Sequence, residues 1–217
     1  HDGRFAQALH NRNIVLGYYF KEIEDGQPNV GKLPSATFPN FAFDHPLPIR
    51  HATGFGANLN IFQKATKQGG HFNPQTDEDG VVRKVAMLME YNGNYYASLS
   101  LAVAKAYLKH NIDTVFAQGL GVSQGYVGLE RLSLGDKMIP VDHQIRALIP
   151  YRGKSHSFPY ISVTDALSGN VPIESLQGKI VLIGTTAPGL SDLRATPVEA
   201  VYPGVEIHAN LISGILD

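Results

Sequence analysis

The chain has no cysteine among its 217 residues. That removes disulfides, thiolate metal sites and cysteine nucleophiles together, without fixing the compartment, because cysteine-free domains occur on both sides of a membrane. Charge is sparse and balanced. Charged residues make up 17%, the net charge is −1, the pI is near 6.8, and Lys and Arg nowhere cluster. Nucleic acid and anionic membrane surfaces are therefore poor partners. No apolar run approaches the ~20 residues that span a bilayer, and the opening residues do not read as a signal peptide. The nine histidines show no H-x-H, H-x-x-x-H or H-E-x-x-H spacing, so no metal and no cofactor is expected.

What remains is an ordinary globular composition. Hydrophobic residues make up 43%, enough to build one sizeable core. Patterning predicts helices over Arg4–Asn11, Asn58–Lys67, Ser98–His110, Val163–Leu167 and Val205–Leu216. In Ser98–His110, the residues Leu99, Ala102, Val103, Ala106 and Tyr107 share one apolar face. Strands are expected over Ile14–Phe20, Arg146–Pro150 and Lys179–Ile183. Hairpins are expected at Asn92-Gly93, joining Val81–Tyr91 to Tyr95–Ala97, and at Gly135-Asp136, joining Tyr126–Leu134 to Lys137–Pro140. The stretch Asp25–Thr53, with Pro28, Pro34, Pro39, Pro46 and Pro48, reads as a surface excursion pinned by Phe38, Phe41 and Phe43; the alternative is a lid. Together these signals predict an α/β domain, or a mixed α+β one, with a mixed sheet flanked by helices and hairpins.

Several chemical motifs can be weighed on spacing. Gly184-x-x-x-x-Gly189 follows an apolar run, but Leu190 and Ser191 stand where a phosphate loop needs Lys and Ser/Thr, and Pro188 removes an amide donor. Asp77-Glu78-Asp79-Gly80 resembles the start of a calcium loop. Aligned on Gly80, however, it puts Gln75 first and Ala86 where a bidentate glutamate is required. It reads instead as a carboxylate turn, with Arg83 bridging to a neighbouring acid. Gly121-Val122-Ser123-Gln124-Gly125 matches the nucleophile elbow G-x-S-x-G, and Asp192 and His208 follow in triad order, although a strand rather than a helix is expected after it. His208 falls on a helical face with Val205 and Ile212. There it is a hydrogen-bonded core residue or a proton-sensitive latch, while Glu206, Asn210 and Ser213 form a polar stripe.

The last forty residues say most. Lys179–Ile183 breaks at Gly184 like a buried parallel strand, and ligands of open α/β sheets sit beyond the carboxyl ends of such strands. The loop Thr185–Pro203 is thus the place to look for function. Thr185 and Thr186 would offer hydroxyls and Asp192 an acceptor, with Arg194, Thr196 and His208 nearby. The competing reading has Asp192 bonding its own loop and Pro197 stiffening the turn.

Three stretches here, GKIVLIG, GLSDLRATP and PGVEIHANLISGIL, resemble the C-terminal half of a CHASE2 domain. DEDGVVRKVAML at Asp77–Leu88, followed by ASLSLAVAKAYL, is similar to its middle. The run from Pro140 to Gly169 is a weaker match, and residues 1–70 are looser still. In that family, Asp79, Gly80, Arg83, Gly184, Pro197 and Gly204 are motif positions. The resemblance implies a non-catalytic extracytoplasmic sensor domain spanning residues 1–217. Such a domain belongs to a bacterial receptor whose output is an adenylate or guanylate cyclase, a histidine kinase or a related enzyme. It also implies transmembrane helices and a further N-terminal portion outside these residues, an unnamed stimulus or small molecule as partner, and a possible homodimer. The alternatives from other classes are a serine hydrolase using Ser123, Asp192 and His208, and an oligomerisation module without a ligand.

Overall fold

A computed structural model describes residues 1–24, 26–117, 128–186 and 192–217. Two expected features, the Gly121–Gly125 motif with Ser123 and the residues Pro188–Ser191, lie outside the described residues. The described elements form a mixed α/β arrangement of small sheets and hairpins with five α-helices. Helix α1 (Asp2–Leu9) leads into β1 (Leu16–Lys21), which is central in a mixed sheet. β1 pairs antiparallel with β2 (Gly54–Gly56) and parallel with β3 (Gly69–His71), and α2 (Asn60–Thr66) connects those two.

The middle of the chain follows its turn chemistry. β5 (Leu88–Tyr91) and β6 (Asn94–Ala97) pair antiparallel from Leu88↔Ala97 to Tyr91↔Asn94. Asn92 and Gly93 between them take φ of 50° and 80°, the left-handed pair that matches strand twist in a two-residue hairpin. Just upstream, β4 (Lys84–Ala86) pairs with β10 (Arg146–Leu148). β7 (Ile112–Phe116), β8 (Leu129–Leu134) and β9 (Lys137–Pro140) form an antiparallel meander that turns at Gly135-Asp136. The excursion before β2 is pinned by aromatics as expected: Phe43 packs edge-on against Phe38 and Tyr95, and Thr37 and Phe38 donate to the Tyr95 carbonyl. Phe41 is not among the pins, being exposed.

The core gathers β5, β8, β9 and two helices. Helix α3 (Leu99–Leu108) is capped by Ser98, whose Oγ accepts from the Leu101 amide. Its inward face differs from the expected one. Ser100, Leu101, Ala102 and Ala104 are buried, while Tyr107 is exposed. The helix is apolar on nearly all sides, so periodicity alone left its rotation undetermined, and packing against the sheet decided it. Helix α5 (Gly204–Leu216) lies against α3 and sends Ile207, Leu211, Ile212 and Ile215 into the core.

The expected strand Lys179–Ile183 is not formed. These residues run without a ladder partner among the described residues, and Ile183 is 88% exposed. A β-branched run has strand propensity, but a strand exists only where a neighbour offers its edge. The whole stretch before it, including α4 (Val163–Leu167) and the 3-10 turn Ile173–Ser175, buries no residue. Two short strands, β11 (Leu193–Arg194) and β12 (Tyr202–Pro203), close the chain onto the start of α5.

Candidate functional site

Two polar systems meet on α5, and both are built by residues buried within an otherwise apolar helix. On one side stand Glu206 and Asn210, one turn apart. Asn210 is fully enclosed; its Nδ2 donates to Tyr202 Oη (2.8 Å) and to the Glu206 carbonyl (2.8 Å), and its Oδ1 accepts the Arg152 amide (2.8 Å). Glu206 is 2% exposed, and its carboxylate accepts the His156 amide (3.0 Å), the Ser157 amide (2.9 Å) and Tyr160 Oη (2.6 Å). A buried carboxylate needs such donors to persist. Burial, and then the Glu206 carboxylate, push the Tyr160 hydroxyl well above its ordinary pKa, so it stays a donor. Glu199 grips the same loop by accepting the Ser155 amide (2.8 Å). The loop 152–160 is thus clamped to α5 by acceptors aimed at its backbone.

The sequence groups these two with Ser213 as a polar stripe; the structure buries Glu206 and Asn210 and leaves Ser213 half-buried. The available signal was that apolar residues flank them on both sides of the helix, as in a helix buried all round.

On another side of α5 lies His208. Its Nδ1 is 2.9 Å from Ser100 Oγ on α3. The residue is half-buried, and burial lowers the imidazole pKa to about 4. His71 at the end of β3 is deeper still. It is 1% exposed, neither ring nitrogen has a partner among the described residues, and its pKa falls to about 3 through burial and the nearby His208. Both rings are therefore neutral near pH 7. Ser100 and His208 form a serine–histidine pair, but Ser100 is fully buried, and among the described residues no carboxylate bonds the ring. Asp192 makes no hydrogen bond to His208 among the described residues, and nothing here supports the hydrolase alternative.

The remaining expected site residues divide. The Asp192 carbonyl accepts the Gly204 amide (2.8 Å), and its carboxylate lies so close to Gly204 that a Cβ there would be 2.2 Å from Oδ1. Burial raises the Asp192 pKa against the lowering effect of Arg194. Arg194 Nη1 donates to the Leu193 carbonyl (3.1 Å). Thr196 closes its own turn, with Oγ1 donating to the Glu199 carbonyl (2.9 Å) and accepting the Glu199 amide (3.2 Å), and Pro197 sits inside that turn. Thr185 and Thr186 are exposed and hold no hydrogen bond among the described residues. Gly184 admits Val205 of α5, whose Cβ would be 2.7 Å from an added methyl. The described part of the loop from residue 192 to 203 is thus a structural brace for the start of α5, and His208 belongs to a separate cluster.

The Asp79-Gly80 turn and Arg83 behave as expected. Gly80 has φ of +79°, and Arg83 bonds Asp77 (2.9 Å) and Asp79 (2.9 and 2.7 Å), which holds Asp79 down at about pKa 2. The fold also joins this turn to the distant brace. Val81 bridges Ala195, and the Val82 amide donates to the Ala195 carbonyl (2.8 Å).

No helix among the described residues is long and apolar enough to cross a membrane. No curated protein sequence and no solved structure matches the chain. The sequence model of one family does match, over residues 1–217 and hence the whole chain. With the Asp-Gly turn, the Asp192–Pro197 brace and the Pro203-Gly204 helix start all in place, this chain belongs to the CHASE2 domain family of extracytoplasmic sensor domains.

Proposed function

We propose that this chain is the stimulus-receiving domain of a bacterial transmembrane receptor, not itself catalytic, and that α5 carries its state toward a cytoplasmic output domain such as an adenylate cyclase or kinase. The observation that supports this reading is the burial of Glu206 and Asn210 on α5. A helix that only filled a core would be stabler with apolar residues there, because desolvating a carboxylate is costly. Their bonds tie the last helix to the backbone of loop 152–160. A change in that loop is therefore transmitted to α5 as a rigid displacement, and a stimulus acts by favouring one position over another. In this reading the receptor is a homodimer whose paired helices move together, and its location is the cell exterior or the periplasm.

The test uses the full-length receptor in membranes, with output activity as the readout. Glu206→Gln keeps the size of the side chain but removes the charge that holds two amides and a hydroxyl. The expected result is a basal output changed by about fivefold or more, which corresponds to about 1 kcal/mol in the balance of two states. Output indistinguishable from the native receptor, both at rest and when stimulated, refutes the assignment of α5 as transmitter.

A further inference from the structure

A cleft of about 750 Å³ opens between the Pro48–Arg50 segment, the Gln75–Arg83 turn and the start of β10. Its volume is that of a small-molecule site. Its walls carry three guanidinium groups, Arg50, Arg83 and Arg146, and three carboxylates, Asp77, Glu78 and Asp79. Arg83 is spent on Asp77 and Asp79. The other two arginines are not used up. Arg50 gives only Nη1 to Glu22 (2.9 and 2.7 Å), so among the described residues its Nε and Nη2 have no partner. Arg146 gives Nε (2.8 Å) and Nη2 (2.7 Å) to Asp142, which also takes Lys84 Nζ (2.9 Å), so one acid serves two cations and, among the described residues, Arg146 Nη1 has no partner.

The Gln75–Asp79 side offers the opposite chemistry. Glu78 holds no hydrogen bond or ion pair among the described residues. Gln75 is only 6% exposed, and its Oε1 is enclosed without a donor among the described residues. A buried acceptor left unsatisfied is destabilising, and a ligand N–H supplies what it lacks.

We propose that this cleft binds a free α-amino acid, its carboxylate held between Arg50 and Arg146 and its ammonium against Glu78 and the Gln75 amide oxygen. Guanidinium groups are suited to planar, two-point recognition of carboxylate. A simple anion would leave Glu78 facing like charge, and a simple cation would do the same to the arginines; a zwitterion satisfies both sides. The cleft also has a route to α5. Its Gln75–Arg83 wall is bonded through Val81 and Val82 to Ala195, in the brace that abuts Gly204. The inference names a ligand class for the proposed sensor and depends on that reading only for this consequence, since binding stands on the cleft itself.

Calorimetric titration of the 217-residue chain with the proteinogenic L-α-amino acids tests it, with acetate and methylammonium as half-ligands. The expected result is that at least one amino acid binds, and that each half-ligand binds at least about tenfold more weakly. Arg50→Gln and Glu78→Gln change exposed side chains, so the fold survives, and each should weaken the amino acid by about tenfold. Three results overturn the inference: no heat from any amino acid up to about 10 mM, acetate binding as tightly as the amino acids, or binding indifferent to both substitutions. If the chain binds an amino acid and the full receptor's output ignores it, the sensor reading fails while the cleft assignment stands.

Discussion

Acid should unfold this domain through two histidines before it reaches the carboxylates. His71 has its pKa lowered from 6.5 to about 3, and His208 from 6.5 to about 4. For a base whose folded pKa is depressed, the unfolded chain takes the proton first. Stability is then full above pH 6.5 and is lost as pH falls from there toward the folded values. One pKa unit is worth about 1.4 kcal/mol, so between pH 6.5 and about 4.5 each histidine removes about 2.5 kcal/mol, and the pair about 5 kcal/mol. That approaches the whole net stability of many domains. The carboxylates act lower. Asp79, held near pKa 2 by Arg83, withdraws its contribution only as pH drops below its ordinary 3.8. Asp142 does the same: burial would raise its pKa, but Arg146, Lys84 and two amides hold it well below the usual range. The assay is urea denaturation of the chain at half-unit steps between about pH 7.5 and 4.5. The slope of unfolding free energy against pH should approach two protons per molecule. His71→Phe keeps a ring of similar size beside Phe20 and should bring the slope to about one proton. A flat profile across this window, or a slope that His71→Phe leaves unchanged, refutes the reasoning.

Two further substitutions test how α5 is held. Asn210→Ala strips Arg152 of its amide acceptor and Tyr202 of a donor inside the core, and should cost about 2–4 kcal/mol in urea denaturation; a loss below about 1 kcal/mol would show that water replaces the side chain. Gly204→Ala puts a methyl 2.2 Å from the Asp192 carboxylate and should destabilise by about 1–3 kcal/mol. Adding Asp192→Ala removes the clash, so thermal unfolding of the double variant should recover most of that loss; no recovery would place the strain elsewhere.

The elements that were legible in the sequence are those fixed by local chemistry. Asn92-Gly93 and Gly135-Asp136 specify two-residue turns whatever surrounds them, and both hairpins are present. Ser98 caps α3 because a hydroxyl before a helical run accepts an orphan amide. The misreadings all concern which neighbour an element meets. Lys179–Ile183 has the residues of a buried strand, yet strand pairing is a long-range event, and among the described residues none pairs with it. Leu99, Val103 and Tyr107 of α3 were expected inside, but a helix apolar nearly all round gives periodicity little to act on, and Tyr107 is exposed. The site was half legible for the same reason. Asp192, Thr196 and Gly204 could be picked out as a connected stretch. The pairing of His208 with Ser100, 108 residues apart, and of Val81 with Ala195 could not.

The two polar systems on α5 also limit how the helix can move. Glu206 and Asn210 face loop 152–160, while His208 faces α3 and β3. One residue along a helix turns the direction of a side chain by about 100°, so any rotation that relieved one system would break the other. Rotation would also carry the buried Glu206 carboxylate away from the His156 and Ser157 amides and Asn210 away from the Arg152 amide, a costly change inside a core. Translation along the axis, or tilting together with the clamped loop, keeps Glu206 bonded to His156 and Ser157 and loads instead the contact between His208 and Ser100 and the brace of Asp192 on Gly204. In the proposed receptor, α5 therefore signals by sliding or tilting as one body with loop 152–160, and such a movement strains the Ser100–His208 bond and the Asp192–Gly204 brace.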